Sequence, residues 1–312
     1  MTKLKGILLT EGMHGMISQV EGLAKALDLD FTHHTVETNN FWKLFPPKVT
    51  PISQNVFKKI NTSDYDVIIS CGRKSIIPSI YLKKNSPKKI TNIHIQDPKI
   101  NLNNFTHVIA PQHDELIGKN VLSTKGAIHY LTKEEIDTHT SYLKDRLENG
   151  KEYFLLILGG PTKHYDYSIE NVSNIFNLFD ALVKKYDLQG IVVPSMRTPK
   201  NIIELSKDRL TKNSLVIETV DKKAYLSALS LAKYIAVTCD STSMISEAAL
   251  TGKPIYIADI PATKNDQRIQ KFRKLFNQLN ITKILDNNLE TWHYESLDET
   301  NRVANEIRKQ LI

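Results

Sequence analysis

Residues Tyr234–Ile257 read YIAVTCDSTSMISEAALTGKPIYI. An apolar run ends in a cluster of hydroxyl side chains, a short helical segment follows, and Gly-Lys-Pro leads into a second apolar run. A strand that ends at a helix N-terminus surrounded by Ser and Thr can bind an anion, because the backbone N–H groups and the hydroxyls donate to phosphate oxygens. The stretch therefore predicts an α/β protein that handles a nucleotide-linked substrate.

Short apolar runs of the same kind recur along the chain, with helical segments between them. Continuous apolar strands are typical of parallel sheets buried on both faces, and helices between them form right-handed βαβ units. A chain of 312 residues is too long for one ordinary core, so two α/β domains are expected. The predicted strands are Gly6–Thr10, Asp66–Cys71, Ile90–Ile95, Thr106–Ala110, Tyr153–Leu158, Gly190–Pro194, Ser214–Glu218, Tyr234–Thr238 and Ile255–Ala258.

The predicted boundary between the halves lies near residues 130–150. Thr132–Glu135 has the pattern of a capping box and predicts a polar helix to about Glu148, where Asn149-Gly150 stops it. Ser296–Glu299 has the same pattern and predicts a helix that ends the sequence. The predicted organisation is an N-terminal domain over 1–132, a linker helix and hinge over 133–150, a C-terminal domain over 151–295 and a C-terminal helix over 296–312.

The composition is that of a folded protein with a basic surface. The chain is 41% hydrophobic and 24% charged, with a net charge of +7. This charge fits either an anionic partner or a lysine-rich solvated surface. Cys71 and Cys239 form neither a metal motif nor a disulfide framework. No apolar run approaches the roughly 20 residues that span a bilayer, so we predict a cytoplasmic protein, with peripheral contact on the inner face of the membrane as an open alternative.

A glycine-containing loop follows the first predicted strand. Gly12 and Gly15 in TEGMHGM (10–16) allow a tight turn and a close backbone approach to a ligand. His14 in this loop has the chemistry of a general base. The alternative is that the glycines only form the turn and that His14 is a surface residue.

The same arrangement opens the second half of the chain. Gly159 and Gly160 in LGGPTKH (158–164) follow a predicted strand, and Lys163 is placed to neutralise a phosphate. A tight turn without a ligand is the alternative. In a two-domain enzyme, the two glycine loops are expected to face each other across a cleft.

The hydroxyl-rich turn is the main candidate for the phosphate site. Thr238, Asp240, Ser241 and Ser243 surround the predicted helix N-terminus. Glu247 lies one turn further into the helix, where a carboxylate can accept two ribose hydroxyls; a locally paired Glu is the alternative. In PSMRTP (194–199), Arg197 follows a strand end and has the geometry for phosphate recognition, although a solvated surface arginine is equally common.

Two further stretches belong to the first half. Asp97 in HIQDP (94–98) is a candidate general base or ligand of acceptor hydroxyls, and a simple turn is the alternative. No His/Cys cluster has metal-ligand spacing. The aromatic stretch Phe41–Pro47 is interpreted as packed beneath a long loop, with a membrane-facing or acceptor-binding loop as the alternative.

Taken in order, the motifs TEGMHGMISQVEGLA, HIQDPKI with PQHD, LGGPTKHY, PSMRTP and DSTSMISEAALTGKP resemble the "elongated mitochondria" fission family of plants, which also has bacterial members. The resemblance covers nearly the whole chain. That family is similar to GT-B glycosyltransferases, such as the lipid-intermediate N-acetylglucosaminyltransferase of peptidoglycan synthesis, and to UDP-N-acetylglucosamine 2-epimerase. It implies two Rossmann-like domains with parallel sheets facing a central cleft, and a nucleotide sugar bound mainly by the C-terminal domain.

The resemblance also implies roles for individual residues. Glu247 would hold ribose, the Ser241–Ser243 turn would hold diphosphate, and the Gly12–Gly15 loop with His14 would face the acceptor and phosphates. This chain departs from the glycosyltransferase in two places. Its first loop has fewer glycines, and Asp-Ser-Thr-Ser stands where the relative has glycines.

The predicted function is a metal-independent GT-B glycosyltransferase. The donor is a nucleotide-diphosphate-sugar acting as substrate, with no cofactor; a lipid-linked or envelope glycan acceptor is considered, and no nucleic-acid partner is expected. Arg197 and a helix dipole would replace a metal, with His14 and Asp97 as candidate catalytic residues. The alternatives are a nucleotide-sugar epimerase, for which His14, Asp97 and His164 are the available acids and bases, and a non-catalytic adaptor on the same scaffold.

Overall fold

The computed structural model describes residues 3–61, 64–210 and 213–311, so the predicted domain ends at 1 and 312 lie outside the described residues. The chain forms two compact units, Met1–Tyr130 with Asp298–Ile312, and Leu131–Leu297. The strands are β1 (Lys5–Thr10), β2 (Asp30–Thr35), β3 (Val67–Cys71), β4 (Thr91–Ile95), β5 (His107–Pro111), β6 (Val121–Thr124), β7 (Tyr153–Leu158), β8 (Gln189–Pro194), β9 (Ser214–Val216), β10 (Ala232–Thr238), β11 (Ile255–Ala258) and β12 (Thr282–Ile284). The α-helices are α1 (His14–Ala26), α2 (Ile76–Lys84), α3 (Lys133–Thr138), α4 (Ile169–Lys185), α5 (Lys200–Arg209), α6 (Lys222–Leu231), α7 (Thr242–Ala249), α8 (Gln267–Gln278) and α9 (Glu299–Leu311).

The first unit contains a parallel sheet with the strand order β2-β1-β3-β4-β5-β6. Its central strands are apolar because both faces are covered: one core joins β1, β3 and β4 to α1 and α9, and a second joins β1, β3 and β5 to α2. The strand order reverses between β1 and β3. In open α/β sheets, ligands bind at the carboxyl edge beside such a reversal, and the loop after β1 lies there.

The second unit contains a parallel sheet with the order β12-β11-β10-β7-β8-β9. Numbered from its own first strand, this is the dinucleotide-binding order, in which the reversal lies between the first and fourth strands. Here these strands are β7 and β10, which pair in parallel along Phe154–Ile157. The loops that begin at Gly159 and Cys239 therefore leave the sheet side by side.

Every predicted apolar run forms a strand, with bounds shifted by two residues at most. The α/β prediction is confirmed.

The predicted linker helix is shorter than expected. The Thr132 hydroxyl accepts a hydrogen bond from the Glu135 N–H at 3.1 Å, so the cap is present. However, α3 ends at Thr138, and residues Thr140–Arg146 continue as a 3₁₀ helix. Two threonine side chains at this junction form hydrogen bonds that compete with the backbone hydrogen bonds of a helix. The Thr138 hydroxyl donates to the Glu135 carbonyl, and the Thr140 hydroxyl donates to the Asp137 carbonyl.

The cap of the last helix also differs from the prediction. The Ser296 hydroxyl donates to the Leu250 carbonyl, so it does not cap a helix. Asp298 accepts a hydrogen bond from the Asn301 N–H at 3.0 Å instead, and α9 begins at Glu299. The predicted helix start was therefore early, because the acid two residues after Ser296 supplies the cap.

Helix α9 returns to the first unit. Its residues Val303, Ala304 and Ile307 are buried in the same core as α1. Buried Glu299 accepts a hydrogen bond from the Lys125 N–H at 2.8 Å. Buried Thr300 donates to the His129 carbonyl at 2.9 Å. The helix is thus fixed by both apolar packing and polar contacts.

The favoured interpretation of Phe41–Pro47 as a buried stretch is wrong. Phe41 is 64% exposed and Leu44 is 84% exposed, whereas Trp42 alone packs partly against the core. The segment Asn40–Leu44 is a 3₁₀ helix with three residues per turn, so only one side of it faces the core.

Candidate functional site

A buried carboxylate organises the carboxyl edge of the second sheet at its reversal. The Asp240 side chain is fully buried. It accepts hydrogen bonds from the Thr238 hydroxyl at 2.7 Å, from the Gly160 N–H at 3.3 Å and from the Tyr167 hydroxyl. The Arg197 guanidinium lies 2.7 Å away and completes the set. A buried charge is tolerated when it is paired and hydrogen-bonded in this way.

The two glycines after β7 are required by this packing. A Cβ atom on Gly159 would lie 2.3 Å from the Asp240 carboxylate oxygens, and one on Gly160 would lie 2.0 Å from the Arg197 carbonyl oxygen. The Gly159 N–H also donates to the Thr238 hydroxyl at 2.8 Å. Gly159, Gly160, Thr238 and Asp240 thus shape the loops and hold the arginine.

Arg197 is fixed but accessible. Its Nη1 donates to the Gly160 carbonyl at 2.9 Å while Nη2 contacts Asp240, and its side chain remains 42% exposed. Thr198, which sequence reasoning missed, supports this turn: its hydroxyl donates to the carbonyl of Gly159 at 2.6 Å and accepts the Ser195 N–H at 2.8 Å. A guanidinium that uses two of its N–H groups in this way still has other N–H groups that can donate to an anion.

The N-terminus of α7 lies at the end of the loop after β10. Ser241 is its N-cap, and its hydroxyl accepts the Met244 N–H at 3.3 Å. The N–H groups of Thr242 and Ser243 belong to the first helical turn, which has no intrahelical acceptors. Ser243 is partly exposed. The turn therefore supplies backbone donors, hydroxyls and the positive end of a helix dipole.

Glu247 lies one turn into α7. Burial raises its pKa to about 7, although a hydrogen bond from the Tyr225 hydroxyl at 2.8 Å opposes the shift. Tyr225 is on α6 and was not predicted. Near neutral pH the carboxyl group is therefore poised between its neutral and charged forms, and hydroxyl donors would favour the charged form.

Lys163 occupies an exposed position in the loop after β7. His164, in the same loop, is partly buried, and its N–H donates to the Thr162 hydroxyl at 3.1 Å.

The glycine loop of the first unit begins α1. Gly12 has a φ of +86°, which favours glycine, and its N–H donates to the buried Thr10 hydroxyl at 3.1 Å. The same hydroxyl lies 2.8 Å from His33 Nε2. His14 is exposed and is the first helical residue. A Cβ atom on Gly15 would meet no atom within 4 Å, so the loop is open on that side.

Asp97 is held by a neighbouring cation. It accepts the Lys99 N–H at 2.8 Å, and Lys99 Nζ lies 2.5 Å from its other oxygen. Although burial opposes the shift, these hydrogen bonds and the charge of Lys99 hold the pKa of Asp97 below its ordinary value. Such a carboxylate is a weak base. Since β3 separates β1 from β4 in the sheet, Asp97 and His14 arise from strands roughly 10 Å apart.

Asp97 also borders a groove of about 580 Å³ in the first unit. The walls of this groove are mainly apolar, and two lysines also line it. The lining includes Lys48, Ile52, Ile77, Lys99, Leu102 and Leu116.

Within the described residues, no group of three or more His, Cys, Asp or Glu side chains has a metal-binding arrangement. None of the helices in the described part of the chain has the length and hydrophobicity that crossing a bilayer requires.

Solved structures share this architecture. UDP-GlcNAc 2-epimerase from Neisseria meningitidis bound to UDP-GlcNAc aligns with a TM-score of 0.53 and 13% identity over 98% of this chain and 100% of that one. The S. aureus MnaA–UDP co-structure aligns with a TM-score of 0.53 and 15% identity over 99% and 89%. At this identity the likeness shows the fold alone, and it confirms the predicted GT-B-like α/β class.

Two relatives match by sequence. The uncharacterized protein RP120 of Rickettsia prowazekii is 26% identical over 344 residues, covering 94% of this chain and 95% of that protein. The mitochondrial fission protein ELM1 of Arabidopsis thaliana is 25% identical over 276 residues, covering 78% of this chain and 64% of the plant protein. The profile of the family described as Mitochondrial fission ELM1 matches residues 14–311. The chain therefore belongs to the mitochondrial fission ELM1 family.

Proposed function

We propose that the second unit binds a nucleotide-diphosphate-sugar at the carboxyl edge of β7, β8 and β10, and that the chain is a metal-independent glycosyltransferase. The observation that carries the proposal is the position of Arg197. A buried aspartate fixes this arginine 2.7 Å away, beside the reversal in strand order where the α7 N-terminus also lies. A fixed cation next to a helix N-terminus is suited to a pyrophosphate.

Each polar group has a role in this proposal. Arg197, the first N–H groups of α7 and the hydroxyls of Ser241 and Ser243 bind the pyrophosphate, and Lys163 adds a second cation. Glu247 accepts the ribose hydroxyls. The fold neighbours from S. aureus and Neisseria meningitidis contain UDP and UDP-GlcNAc, which supports a UDP-type donor.

The same groups would supply the catalysis that the donor needs. Negative charge accumulates on the departing diphosphate, and preorganised donors stabilise it without reorganisation during the reaction. Thr238, Asp240, Gly159 and Gly160 act indirectly, because they hold Arg197 and the loop backbone in place. The helix dipole and Arg197 then perform the charge stabilisation that a metal performs elsewhere.

The acceptor is proposed to bind the first unit. The groove beside Asp97 has mainly apolar walls and two lysines in its lining, which fits an amphiphilic acceptor with an anionic head, such as a lipid-linked glycan. His14 is the proposed base because it is exposed at the open end of the Gly12–Gly15 loop. The low pKa of Asp97 makes it better suited to binding an acceptor hydroxyl than to removing its proton.

Titration calorimetry with UDP, GDP and UDP-GlcNAc tests the donor site. We expect one UDP-type ligand to bind and, at a hundred times its Kd, to stabilise the protein by about 2.7 kcal/mol. Ser243→Ala removes one hydroxyl donor and should weaken binding about tenfold. The matched control is Ser141→Ala, an exposed serine in the 3₁₀ helix Thr140–Arg146, which lies outside the proposed ligand contacts. If none of these nucleotides binds, the proposal is wrong.

Two other functions remain as alternatives. An epimerase would convert UDP-GlcNAc to its 2-epimer without any acceptor, which proton NMR of the nucleotide sugar detects. A non-catalytic adaptor would neither bind nor convert it. Transfer to an acceptor with retention of the sugar's C2 configuration distinguishes the glycosyltransferase from both.

A further inference from the structure

The segment Asn40–Ile52, termed the apolar loop, exposes large hydrophobic side chains. Leu44 is 84% exposed, Phe41 64% and Val49 61%. A soluble protein commonly has single exposed apolar residues, but a concentration of them in one short segment marks an interaction surface.

The apolar loop is held in place by its ends. The Asn39 N–H donates to the Val56 carbonyl at 2.9 Å, and the Lys58 N–H donates to the Glu37 carbonyl at 2.9 Å. Inside the loop, Arg73 donates to the Lys43 carbonyl at 2.5 Å. Behind it, Trp42 packs partly against the core of the first unit. The exposed side chains are therefore presented by a fixed backbone.

The charge of the apolar loop has one sign. Between Glu37 and Asp64 the sequence contains no acidic residue and four lysines, at positions 43, 48, 58 and 59. Lys43, Lys48 and Lys58 are exposed, and Lys58 also pairs with Glu37. A surface that combines exposed apolar side chains with lysines is complementary to a layer of anionic headgroups above an apolar interior.

A second exposed apolar residue lies next to the groove. Ile117 is 91% exposed and follows Leu116, which lines the same groove as Lys48 and Ile52. The groove is thus lined by residues of two segments that also expose apolar side chains. A membrane that contacts both segments would bring its lipids to the mouth of the groove.

We propose that the apolar loop and Ile117 dock the first unit onto the surface of an anionic lipid bilayer. Leu44, Phe41 and Val49 enter the boundary between headgroups and acyl chains, and the lysines contact lipid phosphates. The inference does not depend on the nucleotide site, which is in the other unit.

The fluorescence of a tryptophan in the apolar loop can report this contact. Its two tryptophans are Trp42, in the apolar loop, and Trp292, which is buried in the second unit. Trp292→Phe leaves Trp42 as the single tryptophan. With phosphatidylcholine vesicles in which about one lipid in three is phosphatidylglycerol, we expect the emission of Trp42 to shift to the blue and to be quenched by brominated acyl chains. Pure phosphatidylcholine vesicles should give a much smaller shift.

Cosedimentation with the same vesicles measures the partition coefficient of variants. Leu44→Ser with Val49→Ser should lower it about tenfold or more, because each buried methylene contributes to partitioning. Lys43→Gln and Lys48→Gln should each lower it about fivefold, and the difference should vanish at high salt. The matched control is Ile169→Ser, which alters a 57% exposed apolar residue of the second unit and should change nothing.

Three results would overturn the proposal. One is binding to anionic vesicles that Leu44→Ser with Val49→Ser leaves unchanged. Another is the absence of any binding even at low salt. The third is a lipid-free dimer in sedimentation equilibrium that the same double variant converts to monomer, which would assign the surface to a second copy of the chain. Thermal unfolding of each variant shows whether the fold is retained, and the exposed positions make loss of folding an unexpected result.

Discussion

Arg197 Nη2 lies 2.7 Å from the carboxylate of Asp240. Asp240 is 43 residues further along the chain, and its side chain is fully buried. The two residues follow different strands, β8 and β10. The Asp240 carboxylate accepts hydrogen bonds from Thr238, Tyr167 and Gly160. With the arginine as its fourth partner, it has no exposure to solvent. The position of an accessible cation is thus set by a group that stays inside the protein.

Removing this arginine should destabilise the second unit. In Arg197→Ala the buried Asp240 keeps its hydrogen bonds but loses its counter-charge. We expect a loss of about 2 kcal/mol, less than for a fully buried pair because the arginine is partly exposed. Urea unfolding measures this, and Arg209→Ala, an exposed helix-end arginine, is the control and should change stability by less than about 0.5 kcal/mol. Equal effects of the two substitutions would contradict the assigned role.

Two glycine substitutions should differ in their effect on the stability of the protein. Gly160→Ala places a Cβ atom 2.0 Å from the Arg197 carbonyl oxygen and should cost about 3 kcal/mol or more, since backbone must move. Gly15→Ala meets no atom within 4 Å and lies in α1, so it should be neutral or gain up to about 1 kcal/mol. Thermal unfolding of both variants is the measurement. A well-tolerated Gly160→Ala would show that the loop packing is looser than described.

The stability of the protein should fall as the pH rises through the titration of Glu247. The folded state holds the proton to about pH 7, because burial raises the pKa of this carboxyl group, whereas the unfolded state releases it near the ordinary value of 4.5. Folding therefore takes up a proton between these values, and the stabilisation present below pH 4.5 is lost as the pH rises through 7. At pH 8, Glu247→Gln should be more stable than the parent by up to about 3 kcal/mol.

Urea unfolding at pH 5 and pH 8 tests this difference. Glu218→Gln, at an exposed carboxyl group, is the control and should leave the pH dependence unchanged. A Glu247→Gln variant whose stability follows that of the parent at both pH values would show that this carboxyl group is ionised throughout.

Nucleotide binding should release a proton if Glu247 accepts ribose hydroxyls. Hydroxyl donors favour the charged carboxylate and lower its pKa from about 7. At pH 7 this releases about half a proton per ligand. Calorimetry in buffers of different ionisation enthalpy measures the release, and Glu247→Gln should abolish it. Proton release that persists in the variant would assign the linkage to another group.

The central strands could be predicted from sequence because burial on both faces requires continuous apolar residues. The runs Tyr153–Leu158 and Ile255–Ala258 match their strands in full. The strands that were missed, β2, β6 and β12, all lie at sheet edges. Strand β2 reads DFTHHT and is half exposed, so it carries no apolar run. An edge strand pairs on one side only, and its position depends on its neighbour more than on its own sequence.

The candidate site was predictable as a set of loops but not as a set of contacts. Arg197, Asp240 and Glu247 stand out because polar residues follow apolar runs. Tyr167 and Tyr225 gave no such signal, since a tyrosine in or before a helix is ordinary. Their hydroxyls reach Asp240 and Glu247 only through the tertiary fold, over separations of 73 and 22 residues. Sequence spacing alone does not report which side chains meet across such distances.

The return of α9 to the first unit has a consequence for biosynthesis. Domains generally fold in the order in which the ribosome delivers them. Here Val303, Ala304 and Ile307 fill a core whose other residues were translated before the entire second unit. The first unit therefore exposes an apolar face until the second unit and α9 have been synthesised. We expect nascent chains stalled before residue 299 to bind chaperones at α1.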